Sequence, residues 1–218
     1  MVKQQRIGYD IKMYSQTYQD EFAYLLCNTD KGFFVDIGAG DSDFPPYGTN
    51  TNTKFLEEKG WSGILVECVH GWTEYAKTTR SGTAVCARIP DTPIKKILDE
   101  NHSPNIIDYL SIDIEPSSVI ALETFPFDEY EFKILTFEHD LYAAGPTQKN
   151  KSHEILKSKG YICLCEDVET PMNAGPYEDW WINPKFFTEN FIENNIYNKK
   201  TGFYILNQIK QFIKQTQE

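Results

Sequence analysis

The chemistry-bearing residues of this chain are acids that stand at the ends of apolar runs. The clearest case is Phe33-Phe34-Val35-Asp36-Ile37-Gly38-Ala39-Gly40-Asp41. Its apolar lead reads as a strand buried on both faces, as in a parallel sheet. Gly38 and Gly40 permit a sharp turn and let a ligand approach the backbone without a Cβ in the way. A dinucleotide site would continue as Gly-x-Gly-x-x-Gly and seat a pyrophosphate on a helix N-terminus. Here the third glycine position is Asp43, and Asp41 adds another negative charge. Two carboxylates at that turn repel a pyrophosphate and suit a ligand with an ammonium or sulfonium and ribose hydroxyls. Asp36, Gly38, Ala39, Gly40 and Asp41 are therefore candidate cofactor-binding residues.

Glu67 ends the next apolar run, Ile64-Leu65-Val66. A strand-end acid there can accept hydrogen bonds from both ribose hydroxyls, although a solvated glutamate would look the same. Asp113, Glu138 and His139 end two later runs. Adjacent parallel strands lie about 4.8 Å apart, so these side chains can converge on one ligand. Two acids and an imidazole can hold a divalent cation, Mg or Mn, or supply a general base. Imidazole is a soft donor for magnesium and tilts such a site toward manganese or iron. The plain alternative puts His139 in a core turn and pairs Glu138 with a lysine. Trp180 and Trp181 follow Glu178 and Asp179 near the same rim, with Trp181 expected in the core.

The elements that position these residues alternate. A short helix opened by Ser15 precedes the strand 33–37. The segment 44–49 holds two prolines and a glycine and cannot be regular. Thr51-Asn52-Thr53 then caps a helix to about residue 59. Strands are predicted over 64–67, 83–87, 106–115, 132–139, 161–165 and 180–182, with helices over 70–79, 94–100, 117–124 and 147–159. The strand 106–115 ends in two acids, Asp113 and Glu115, and both are candidate catalytic residues along with Glu138 and His139. Strands alternating with helices call for right-handed crossovers and a three-layer α/β sandwich, mostly parallel and seven-stranded, in one domain over 1–218. Ligands bind such folds beyond the carboxyl ends of the strands, where every acid above falls. Residues 186–218 form an extension that covers the sheet edge or pairs with another copy as a homodimer.

Composition excludes several classes. Among 218 residues, 32 acids against 21 bases leave a net charge of −11, a field that repels nucleic acid and anionic lipid. No apolar stretch approaches the ~20 residues of a membrane span, and no signal-like run follows the start. Five cysteines, without a Cys-x-x-Cys pair, read as buried reduced thiols of a cytoplasmic protein.

Several of these pieces together resemble FkbM-like methyltransferases. Ser15-Gln16-x-x-Gln19-Asp20, Phe34-Val35-Asp36-Ile37-Gly38-Ala39 and Thr51-Asn52-Thr53 with Phe55-Leu56-Glu57 look like the family's opening. Gly60-Trp61-x-Gly63, Val66-Glu67, Asp108-Tyr109-Leu110-Ser111-Ile112-Asp113-Ile114-Glu115 and Phe137-Glu138-His139 continue in order. Gly160-Tyr161 and Glu178-Asp179-Trp180 resemble its closing motifs, so the likeness covers about 15–182. It implies a class I methyltransferase (Rossmann-like) fold, S-adenosylmethionine as cofactor and O-methylation of a carbohydrate or sugar-containing small molecule. Asp36, Gly38, Ala39, Gly40, Asp41, Glu67 and Asp113 would then line the cofactor, with Asn52 reaching its methionyl end. The chain departs from the family at Gly40-Asp41-Ser42-Asp43, where a glycine is shifted or lost, and at Pro116, which replaces a glycine. A nicotinamide-dependent oxidoreductase and a catalytically inactive binding module of the same fold are the alternatives.

Overall fold

Apolar runs that end in acids become parallel strands here because helices cover both faces of each run. The computed structural model describes residues 14–40, 51–114, 116–169 and 175–217. The candidates Asp41 and Glu115, and with them Asp43 and the 44–49 segment, lie outside the described residues.

Helix α1 (Gln19–Cys27) leads into β1 (Phe33–Ile37), and α2 (Lys54–Glu58) into β2 (Ser62–Glu67). Then come α3 (His70–Thr79), β3 (Thr83–Cys86), α4 (Ile94–Glu100), β4 (Ile106–Ile112), α5 (Ser118–Glu123) and β5 (Glu131–Glu138). After α6 (Leu141–Ala144) and α7 (Thr147–Ser158) the chain returns as the paired strands β6 (Ile162–Glu169) and β7 (Pro176–Ile182). The closing pieces are α8 (Glu189–Asn194), β8 (Tyr197–Asn198) and α9 (Gly202–Gln217). The described strands form an eight-stranded sheet in the order β3-β2-β1-β4-β5-β7-β6-β8. Strand β7 runs antiparallel to both β5 and β6, while the other pairs are parallel. The domain is α/β and Rossmann-like, and this order with β7 reversed resembles a class I methyltransferase sheet.

Side-chain alternation divides the core in two. Val35, Ile37, Leu110 and Phe137 face one way, onto Ile97 and Leu98 of α4, Leu122 of α5 and Leu156 of α7. Phe34, Tyr109, Ile134 and Trp180 face the other way, onto Phe22 of α1, Leu56 of α2 and Ile205 and Ile209 of α9. Each strand is thus apolar on both sides, as its sequence requires.

Several expectations change. The sheet has eight strands rather than seven, because Tyr197 pairs with Cys165 and extends it at the β6 edge. Strands β6 and β7 are longer than their apolar residues indicate, since Glu178 and Asp179 are buried strand residues with polar partners. Tyr18, at φ +72°, is the residue that precedes α1, and the Ser15 hydroxyl instead donates to Asp20 Oδ1 at 2.6 Å. Residues 197–217 supply an edge strand and a core helix. Cysteines Cys68 and Cys86 are exposed, whereas Cys165 is buried and Cys27 and Cys163 are half-buried; all five are free thiols. Both Trp180 and Trp181 are fully buried, because β7 is an interior strand. No described helix is long and apolar enough to cross a membrane.

Candidate functional site

Register aligns the predicted acids into one row. Ile37 pairs with Val66 on one side and Ile112 on the other, and Ile112 pairs with Phe137. One residue further along, Glu67, Gly38, Asp113 and Glu138 lie side by side, and Glu138 faces Glu178 of β7. Gly38 has φ +89°, and a Cβ there would overlap the Asp113 carbonyl, so the β1 turn can press against the β4 end only as glycine. Gly38 and Ala39 both donate their N–H groups to Val66 O, at 2.9 and 3.1 Å, which curls the turn over β2.

Glu67 closes that turn. Its Oε2 accepts from Gly40 N–H at 3.1 Å and its Oε1 from Val69 N–H at 2.8 Å. The residue is 7% exposed, the Cys68 thiol also reaches the carboxylate, and acceptor capacity remains for a further donor. A carboxylate ordered in this way is set to receive paired hydroxyls.

Asp36 is held by a network of its own. It is buried, with Oδ2 accepting from Thr53 Oγ1 at 2.7 Å. Thr53 in turn accepts from Arg80 Nη2 at 2.7 Å, Thr51 accepts from Arg80 Nη1 at 3.0 Å, and Arg80 Nε donates to Glu57 Oε2 at 2.7 Å. Burial pushes the Asp36 carboxyl up to about 6, opposed by the Thr53 hydrogen bond and the Arg80 charge. Its Oδ1 has no hydrogen-bond partner among the described residues. Asn52 Nδ2 donates to Ser111 Oγ at 3.0 Å, which brings Asn52 over the ends of β1 and β4.

Asp113 and Glu138 do come together, near enough that the ionisation of each bears on the other. Burial pushes Glu138 up to about 12, helped by its hydrogen bond to Asp113 and by the Asp113 charge. Burial also raises Asp113; the hydrogen bond from Glu138 opposes this, and the charges of Asp140 and Glu67 add to it. Beside them Glu178 accepts from Thr17 Oγ1 at 2.5 Å, Trp180 Nε1 at 2.7 Å, Tyr177 OH at 3.0 Å and Gln19 Nε2 at 3.1 Å. This is why Ser15-Gln16-x-x-Gln19-Asp20 sits where it does: it ties the chain before α1 to β7.

His139 does not join this pair. It follows Glu138 on extended backbone, so its ring leaves by the opposite face of the sheet. The ring is fully buried, with Nδ1 accepting from Leu141 N–H at 3.2 Å and Nε2 3.3 Å from Asp179 Oδ1. The predicted metal set Asp113, Glu138 and His139 is therefore not gathered about one point. Among the described residues no metal-competent group contains Asp113 or Glu138.

The β1 turn leaves room and acceptor groups for a ligand that carries hydroxyl donors. Glu67 keeps acceptor capacity beyond its two backbone donors, although the Cys68 thiol also reaches it, and Gly40 has no heavy atom nearer its Cβ position than Gly38 O at 3.9 Å. The acids Glu67, Asp113 and Asp140 also make a negative field that suits a sulfonium. No family model matches the chain, and no curated protein matches it.

Thr53, Arg80, Thr17 and Tyr177 were not candidates from sequence. Thr53 could have been flagged as the last residue of Thr51-Asn52-Thr53, but read as a helix cap. Its hydroxyl bonds Asp36 instead, and the side chain makes no cap hydrogen bond. Nothing about an isolated arginine at a helix end announces that it will be buried.

Proposed function

We propose that this chain is an S-adenosylmethionine-dependent O-methyltransferase whose acceptor is a hydroxyl of a carbohydrate or sugar-containing small molecule. The observation that carries the reading is Glu67, which ties Gly40 of the β1 turn to Val69 while keeping acceptor capacity for a ribose. The order of the sheet and the acid row beyond its carboxyl ends support it. The acceptor class follows the sequence resemblance.

When bound, the cofactor supplies an electrophilic methyl group on a sulfonium. Glu67 would hold the ribose, the Gly38–Gly40 backbone would let the ligand approach, and Asn52 would face its amino-acid end. Asp113, beside Glu138 at the strand ends, would take the proton of the acceptor hydroxyl. A base whose pKa is raised is better matched to that task than an ordinary aspartate. Asp113, Glu138 and His139 are not gathered about one point, so the base acts here without the divalent cation expected of those three.

Calorimetry with S-adenosylhomocysteine and with NAD tests the reading. Binding of the first alone supports it. Binding of NAD alone replaces it with the oxidoreductase reading, and binding of neither leaves the inactive-module reading. Mass spectrometry of cell glycans and metabolites, with and without active protein, would then locate the methylated hydroxyl.

A further inference from the structure

On the sheet face opposite the Asp113–Glu138 pair, a second cluster of chemistry-bearing side chains lies between α7, β6 and β7. His153 of α7, Cys163 of β6 and Asp179 of β7 place one ligand-type atom each within 4.8 Å of one another. His139, Asp167 and Asp179 do so as well. The hydrogen bonds decide between the two triads. His139 Nδ1 accepts from Leu141 N–H, so in the neutral ring the proton is on Nε2, which faces Asp179 Oδ1 and has no lone pair to give. Asp167 is tied up too, with Oδ1 2.6 Å from Lys149 Nζ. His139 and Asp167 instead surround Asp179 Oδ1, the Asp167 N–H donating to it at 2.7 Å. Asp179 Oδ2 is thereby aimed at His153 Nε2, 2.7 Å away.

We propose that His153 Nε2, Cys163 Sγ and Asp179 Oδ2 form a zinc-binding site that clamps α7 to β6 and β7. One nitrogen, one sulfur and one oxygen make a donor set suited to zinc, with a fourth, tetrahedral position left for water. Zinc bonds of about 2.0–2.3 Å put neighbouring ligands roughly 3.3–3.8 Å apart, so His153 and Asp179 need to separate by only about an ångström or less. Local charge favours a dication, because Glu166, Asp167 and Asp179 outnumber Lys149. Two features suit entry and orientation. His153 is 14% exposed at its side chain and so opens the site to solvent. The oxygen of Asp179 that does not bind is fixed by the Asp167 backbone N–H, with the His139 ring 3.3 Å away, an outer contact of the kind that orients ligands in metal sites. On binding, the Cys163 thiol gives its proton to solvent, and the proton that His153 Nε2 donates to Asp179 is lost as Nδ1 takes one up, a change open to His153 but not to His139, whose Nδ1 must accept from Leu141 N–H. The clamp would reach the catalytic side through Gln148 of α7, which donates to Pro116 O at 2.8 Å and accepts from Val119 N–H at 3.1 Å, just beyond Asp113. The proposal stands independently of the methyl-transfer reading.

The test uses the full chain, stripped with a chelator and titrated with Co2+ and then Zn2+. One equivalent of Co2+ should produce a thiolate-to-cobalt charge-transfer band that Zn2+ displaces. Cys163→Ser should abolish the band, and His153→Gln should weaken Co2+ binding at least tenfold. Absence of the band overturns the site, as does a band that survives Cys163→Ser, which would belong to the exposed Cys68 or Cys86. Should Cys163→Ser not fold, the unfolding temperature decides. Zn2+ should raise it in the parent and much less in His153→Gln, and equal or zero shifts in the two overturn the site.

Discussion

Thr53 Oγ1 gives its proton to Asp36 Oδ2 at 2.7 Å, while Arg80 Nη2 occupies the Thr53 lone pair from behind. The acid of the β1 motif is thus fixed by α2 and by the residue that follows α3. Losing the Thr53 hydroxyl leaves a buried carboxylate short of a donor, so Thr53→Val should cost about 1–3 kcal/mol in urea unfolding. Arg80→Met should cost more, about 3–5 kcal/mol, since it takes the guanidinium from the buried Glu57 carboxylate and leaves it only Gly82 N–H and Lys54 at 3.9 Å. If Arg80→Met is no worse than a surface substitution, Arg80 does not hold this network.

Glu67→Ala should act on both binding and stability. Loss of two charged acceptor positions should weaken S-adenosylhomocysteine binding by roughly 1.5–3 kcal/mol per bond lost. The N–H groups of Gly40 and Val69 also lose their acceptor, so the cofactor-free protein should be destabilised by about 1–3 kcal/mol. Calorimetry and thermal unfolding read the two effects separately. Unchanged affinity would remove this acid from the ribose.

Glu138→Gln keeps a donor beside Asp113 but cannot move a proton. Cofactor affinity should stay within a few-fold, while methyl transfer should keep most of its rate if Glu138 only holds Asp113 in place. Asp113→Asn removes the base, and transfer should fall by roughly 10²–10⁴-fold. Single-turnover rates with labelled cofactor separate the two, and an active Asp113→Asn enzyme sinks the assignment of the base.

Asp20 ties stability to pH. Burial pushes it up to about 7, against hydrogen bonds from Ser15 and from backbone N–H groups. A carboxyl whose folded pKa is raised stabilises the fold fully below its unfolded pKa, about 4, and that contribution is lost as pH rises through the folded value. Asp36, raised to about 6, acts in the same direction. Unfolding free energy should therefore decline between about pH 4 and 7, with roughly 4 kcal/mol of the decline belonging to Asp20. In Asp20→Asn the slope should be visibly flatter. An unchanged slope would show that this group titrates normally.

The sequence by itself determined the alternating elements, the mostly parallel sheet and the acids at the strand ends. Those follow from local rules: apolar runs must be buried on both faces, glycines turn where side chains cannot, and charged residues stop at the sheet's rim. Glu67, Gly38, Asp113 and Glu138 were legible for that reason, and the structure sets them side by side. Tertiary structure decided what each acid touches. One residue of extended backbone separates Glu138 from His139, and that single step sends the imidazole to the other face, toward Asp179 rather than Asp113. Whether a strand continues through Glu178 and Asp179 depended on partners from distant positions, Thr17 and Gln19 for one and His139 and His153 for the other. Burying a charge is costly unless such partners arrive, and their arrival is a property of the packed chain that no local pattern encodes.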